Sequence, residues 1–353
     1  MAACRPNRAY RVRDSIAVMR IGLALPHYDF SFPDDGPVSF ARTAEVAQRA
    51  EGLGFDSVWI SDHFFWSLER YGGGTELQGS LEPMTTLAAL AARTERVRLG
   101  TLVVAAPFRH PANLAKMATA VDLLSGGRME LGIGAGWYED EFRAFGYPVG
   151  STAERFSQLE EVLQVLQLLL AEGPADFDGE RYRLRGAYNH PLPASTPRPP
   201  IWLGAKGGRR ALRLAVKYAD GWNTVWRWSL DDYAERLSDA RRICEEEGRD
   251  PSTLRLSVGL YTLVGEDERD LVSRYRALQR WTPGEALDGE LLEDFGRAAL
   301  VGTPDQVTDT LGRFAALGVE EMIVSPASVP FAMFDPTLLD LIAEAIIPAA
   351  REI

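Results

Sequence analysis

From Arg96 to Phe142 the apolar positions change period twice. Val97, Leu99, Leu102, Val103 and Val104 form a short, β-branched run bounded by Pro107, the pattern of a buried strand. Leu114, Met117, Ala118, Val121 and Leu124 then recur at i, i+3, i+4, i+7 and i+10, which is one face of a helix. Ser125-Gly126-Gly127 stops that helix, and Met129 to Ile133 alternates into a second strand ending in Gly134-Ala135-Gly136. Strand, helix, strand over so short a span is a βαβ unit, so the sheet is parallel and covered on both faces.

The same punctuation recurs along the chain. Strands are predicted at Arg20–Leu25, Ser57–Ile60, Ile201–Leu203, from Asp220, at Leu254–Val264 and at Met322–Ser325. Helices are predicted from Ser39 to Leu53, Pro83 to Arg93, from the Ser151/Glu154 capping box, over Arg210–Tyr218 and Ser229–Glu247, from Thr303-Pro304 to Gly318, and over Pro336–Arg351. Residues 266–300 read as helical but poorly patterned, and about 176–200 as a hairpin-like, proline-rich insertion. Three junctions, LGFDSVWI, YADGWNTV and LGVEEMIV, each end a helix in or near glycine and enter a strand through an acidic residue. About eight strands alternating with helices give a closed (β/α)8 barrel, an α/β fold, over residues 19–353 as one domain. An open doubly wound sheet is the rival, but no glycine-rich turn follows the first strand with an acidic residue about twenty positions on.

Composition narrows the function. Thirty-eight basic and fifty acidic residues give a net charge of −12, which disfavours nucleic acid and anionic membranes as partners. No apolar run is long enough to span a bilayer, and two cysteines, Cys4 and Cys244, suggest neither a disulfide framework nor a metal cluster. A reducing cytoplasm fits. Residues 1–18 are basic and irregular, without the apolar centre of a signal peptide, and read as a disordered or non-native extension.

Three stretches could carry chemistry. Gly204-Ala205-Lys206-Gly207-Gly208 joins a strand to a helix, where glycines let backbone N–H groups approach an anion and the helix start adds partial positive charge. Glycines at such a turn equally serve to relieve sterics. Asp62-His63 directly follows a strand, where barrel active sites lie; on its own the pair reads as a turn-capping carboxylate beside a half-buried imidazole. Phe64, Trp66 and Trp137, with Trp226 and Trp228, are strand-end or loop aromatics that can wall an apolar pocket or pack. No His-x-His or His-Glu-x-x-His spacing points to a metal.

The segments GTLVVAAPFRHPANLAK, LSGGRMELGIGAGWYEDEF and RRALRLAVKYADGWN resemble the luciferase-like monooxygenase superfamily, and within it the branch using the deazaflavin coenzyme F420. The resemblance runs from about Arg20 to Ile346. It implies a flavin or deazaflavin held at the C-terminal rim of the barrel, against a non-prolyl cis peptide that falls between Leu102 and Val103. It also implies a cofactor site of Asp62, Leu102, Val103, Ala105, Gly134, Ala135 and Gly136, with Gly204, Ala205, Lys206, Gly207 and Gly208 as the phosphate loop. His63 matches the residue proposed in the family to exchange a proton or stabilise charge as hydride moves. Where sugar-phosphate dehydrogenases of the group have a glutamate, this chain has Trp137, which argues against that substrate and for an apolar or aromatic one bounded by Phe64, Trp66 and Trp137. The implied activity is hydride transfer between F420 and a small organic substrate, in a homodimer. The alternatives are an FMN-dependent monooxygenase fed by a separate reductase, and a non-catalytic flavin-binding protein on the same barrel.

Overall fold

The computed structural model describes residues 18–32 and 36–353, so the N-terminal extension and Cys4 lie outside the described residues. Eight parallel strands close on themselves: β1 (Arg20–Ala24), β2 (Ser57–Ile60), β3 (Arg98–Thr101), β4 (Met129–Gly134), β5 (Ile201–Gly204), β6 (Gly221–Trp226), β7 (Arg255–Val264) and β8 (Glu321–Ser325). Pairing of β4 with β5 and of β8 with β1 completes the cylinder. The helices form an outer ring whose caps follow the sequence. Ser39 and Ser151 accept from the first-turn backbone, Glu154 closes its capping box, and Gly54 and Gly126 end their helices at positive φ.

The two faces of each strand have different duties. Ile21, Leu23, Val58, Ile60, Leu131 and Ile133 join the main core, with helix residues such as Ala47, Leu87 and Leu114. Inward, the barrel is filled by Trp59 and Trp202, meeting edge to face with ring centroids 6.4 Å apart. Glycine makes room for them: a Cβ on Gly100 would lie 2.2 Å from the Trp59 ring, and one on Gly221 2.4 Å from that of Trp202. Below the tryptophans, at the N-terminal end, Arg20, Arg98 and Arg255 meet Glu130, Glu320 and Glu321. Trp202 donates from Nε1 to Glu130 Oε2 at 2.7 Å, tying that ionic floor to the filling above it. The surrounding guanidinium groups, led by Arg98, overcome burial and hold Glu130 down to about 2, whereas burial dominates at Glu321 and raises it.

Several boundaries differ from the sequence expectation. The segment read as 266–300 helix comprises Glu268–Trp281, Leu292–Gly296 and a strand, Leu300–Gly302, that pairs with the far end of β7. With Tyr261, Leu263 and Leu338 it builds a second, smaller core. The closing helix carries a π turn over Ile342–Ile346. The insertion is a hairpin, Ala175–Asp178 with Arg183–Ala187, followed by a loop holding cis His190–Pro191 and Thr196–Pro197.

Candidate active site

At the C-terminal rim the strand ends surround a cavity of about 500 Å3. Its floor is the segment after β3. The Leu102–Val103 peptide is cis, as the resemblance implied, and Val103 turns in over the barrel mouth. Its methyls would meet a Cβ on Gly134 at 2.9 Å and on Gly204 at 2.6 Å, so these glycines make room for Val103, while Gly132 makes room first for the Thr101 carbonyl, which a Cβ there would meet at 2.0 Å. Gly134 lines the cavity, and the space its missing side chain leaves is taken by Val103. A second non-prolyl cis bond, Val225–Trp226, ends β6, and both residues line the cavity.

Asp62 lines the cavity, but its carboxylate is engaged. Oδ2 accepts from the Ala105 amide at 2.9 Å and from Arg109 Nη1, while Oδ1 accepts from Arg109 Nη2 at 2.9 Å. Arg109 also reaches Glu82, and these carboxylates outweigh burial in raising its already high pKa. Asp62 thus pins the segment carrying Leu102, Val103 and Ala105.

His63 faces the cavity with one ring nitrogen bound. Nδ1 lies 2.7 Å from Glu141 Oε2, and the other carboxylate oxygen accepts from the Phe64 and Phe65 amides. The imidazole stacks on Trp66, centroids 5.0 Å apart at 19°, and meets Trp137 edge-on at 5.7 Å. Behind it, His27 is wholly buried: Nδ1 is 2.7 Å from the Leu25 carbonyl and Nε2 accepts from the Ser61 amide at 3.2 Å. Burial holds His27 down to about 4, and burial likewise raises Tyr28, whose hydroxyl is bonded to Ser61.

The remaining predicted residues divide. Ala135, Gly136, Trp66, Trp137, Gly204, Ala205 and Lys206 line the cavity with Ala105 and Gly134. Gly207 and Gly208 do not; Gly207 has φ +84° and lies against Arg236, so it serves the turn into the helix Arg209–Tyr218. Phe64 is also corrected: it stacks on Phe145, centroids 4.2 Å apart, in a separate aromatic cluster with Phe108 and Phe142. At the mouth, Lys206 and Arg70 repel each other, and burial first, then Arg70, lowers the lysine to about 8. Arg70 lies over the Trp137 ring at 4.7 Å.

The sequence reading missed Glu141, Arg109, Thr224 and Phe331. Glu141 stands in Glu139-Asp140-Glu141, an apparently solvated acidic run, yet its neighbours pair with Arg143 outside while Glu141 is 1 % exposed. The one available signal was Phe142 beside it, which is buried and fixes the helix orientation.

The cavity suits a flat heterocycle with polar edges. Its wall offers the buried Thr224 hydroxyl, which has no hydrogen-bond partner among the described residues, and its mouth offers Lys206 and Arg70 to an anion. Among the described residues no group of His, Cys, Asp and Glu could hold a metal ion.

A family model described as luciferase-like monooxygenase matches residues 19–321. The chain is 29% identical over 343 residues to an F420-dependent hydroxymycolic acid dehydrogenase of Mycobacterium tuberculosis, covering 94% of this chain and 88% of that one. It is 32% identical over 282 residues to a phthiodiolone/phenolphthiodiolone dimycocerosates ketoreductase of a Mycobacterium species, covering 74% and 70%. The structure of an F420-dependent secondary alcohol dehydrogenase in complex with an F420–acetone adduct superposes with a TM-score of 0.73 at 21% identity, covering 94% of this chain and 99% of that one, which shows the shared fold.

Proposed function

We propose that this chain, which belongs to the luciferase-like monooxygenase family, is an F420-dependent oxidoreductase that interconverts an apolar alcohol and its ketone. The observation that carries the reading is the meeting of three parts at one rim: the Leu102–Val103 floor, His63, of whose two ring nitrogens only Nδ1 is bonded among the described residues, and the Gly204–Lys206 loop. Two relatives whose names specify a dehydrogenase of a hydroxy acid and a ketoreductase support the choice of alcohol and ketone.

A bound deazaflavin supplies the carbon that takes up or gives the hydride. The protein's part is binding, orientation and proton handling. Val103 and Leu102 form a rigid platform because Asp62 holds the segment and glycines on β4 and β5 let it sink into the barrel. Lys206, in the turn after β5, presents a cation to an anionic tail, while the Ala205 amide is already spent on the Asn223 carbonyl at 3.0 Å. Trp66, Trp226 and Phe331 line the cavity with apolar surface, and Trp137, 43 % exposed, stands at its edge, which favours a substrate without charge near the reacting carbon. His63 Nε2 takes the hydroxyl proton during oxidation and returns it during reduction. Cytoplasmic location and a homodimer complete the reading; among the described residues no helix is long and apolar enough to cross a membrane.

Titration with F420 and with FMN, followed by turnover under air with oxygen uptake recorded, tests this. The expected result is tight F420 binding, alcohol-dependent bleaching of the oxidised coenzyme, and no stoichiometric oxygen consumption. FMN binding with oxygen uptake matched to product would replace the reading with a monooxygenase, and binding without turnover of any alcohol or ketone would leave a carrier.

A further inference from the structure

The histidine at this rim is not an isolated imidazole. Nδ1 is committed to Glu141 at 2.7 Å, and Nε2 has no partner among the described residues. The carboxylate is itself fixed, since its second oxygen receives the amides of Phe64 and Phe65, the two residues after His63. A 1 % exposed carboxylate that accepts three hydrogen bonds around one imidazole is a built arrangement, and Trp66 and Trp137 restrict the ring from its face and edge. Glu141 also lines the cavity, with both its oxygens already engaged by His63 and the two amides.

We propose that Glu141 is the positioning residue of the reaction: it keeps the His63 proton on Nδ1, leaves the Nε2 lone pair toward the substrate hydroxyl, and stabilises the imidazolium that forms. This rests on the proposed alcohol–ketone chemistry. In the oxidising direction the carbinol C–H bond breaks with its electron pair going as hydride to the coenzyme. The hydroxyl proton goes to Nε2, and the electrons of the O–H bond become the second bond of the carbonyl. A negative charge on the far side of the ring is what an imidazole needs in order to hold that second proton. In this chain, where Trp137 stands in place of the glutamate of related dehydrogenases, the carboxylate acts through His63.

A double-mutant cycle on the coenzyme-loaded protein tests the assignment. Glu141→Gln retains shape but removes the charge and leaves one oxygen for which Nδ1 and the Phe64 and Phe65 amides compete, and is expected to lower kcat on the order of 100-fold with coenzyme affinity held within about twofold. In a His63→Ala background the same substitution is expected to change kcat by less than about twofold, because the residue it acts through is gone. An equal loss in both backgrounds, or none in the wild-type background, overturns the proposal. A readout independent of turnover is the 15N spectrum of protein labelled at its four histidines. His63 is expected to carry its proton on Nδ1, and Glu141→Ala to shift the proton to Nε2 or bring it into fast exchange. An unchanged His63 signal in that variant overturns the tautomer assignment. If the wild type binds no F420, the functional reading fails while this spectrum still decides the pair.

Discussion

Replacing Asp62 by asparagine separates the platform from the chemistry. The carboxylate accepts three hydrogen bonds, from the Ala105 amide and from both terminal nitrogens of Arg109, with side-chain exposures of 5 % for Asp62 and 12 % for Arg109. Asparagine offers one oxygen and turns two N–H donors toward a guanidinium that can only donate. Breaking a buried ion pair costs about 3–5 kcal/mol when the remaining charge has no other partner. Here Arg109 keeps Glu82, which is 38 % exposed, so the loss is reduced to about 2–3 kcal/mol. For a domain of this size that lowers Tm by about 3–4 °C. The Ala105 amide is the link to function. If asparagine's oxygen stays with Arg109, the segment after Leu102 loses its anchor, about 1 kcal/mol, and F420 affinity falls about fivefold. Differential scanning fluorimetry and a fluorescence titration with F420 measure the two effects separately. A Tm within 1 °C of wild type, or a lower Tm with unchanged coenzyme affinity, would refute the view that Asp62 holds the platform.

Four further outcomes are expected. His27 titrates near 4 in the fold against 6.5 unfolded, so its contribution is complete above pH 6.5 and disappears as pH falls toward 4, a loss of about 3 kcal/mol; urea midpoints at pH 7.5 and 5 should differ, and should differ less in His27→Gln. Glu130 adds an acid-side loss between pH 4.5 and about 2, because its carboxylate is favoured in the fold. Lys206 loses its charge around pH 8, so F420 affinity should weaken between pH 7 and 9, and Lys206→Gln should bind about tenfold more weakly at pH 7 with a flat profile; a wild-type affinity independent of pH would remove the lysine from the anion contact. Gly100→Ala places a methyl 2.2 Å from the ring of Trp59, whose Nε1 is held by Ser57 at 2.7 Å, and should destabilise the protein by about 1–3 kcal/mol in chemical denaturation.

Much of the barrel could be read from the chain because local and global signals agree. Every barrel strand is a short apolar run next to a helix whose ends are marked by Ser, Thr, Pro or Gly, and the observed caps at Ser39, Ser151 and Gly126 use those residues. The resemblance, not the spacing, located the cis bond at Leu102–Val103, and nothing in the run Thr224-Val225-Trp226 distinguishes a second one. What escaped was set by distant partners. Arg109 lies 47 residues from Asp62 and Glu141 lies 78 residues from His63, so neither pair leaves a local pattern. Phe64 shows the converse error: its position beside His63 suggested the cavity, but the turn after the strand directs it into the cluster with Phe108 and Phe145. The poor periodicity of 266–300 has a similar origin, since those residues pack into a small core against the far end of β7 rather than as a helix of the outer ring.

That small core has a consequence for how the enzyme could diversify. Its Tyr261 stacks on Trp226, centroids 5.6 Å apart, and Pro283 abuts the loop at Gly73, near Tyr71. The wall facing the substrate is therefore supported by a module whose hydrophobic contacts are largely internal, whereas the platform beneath the coenzyme is wedged among invaginated glycines and two indoles. Residues of the module can be exchanged to reshape the chamber for a different substrate with little disturbance below.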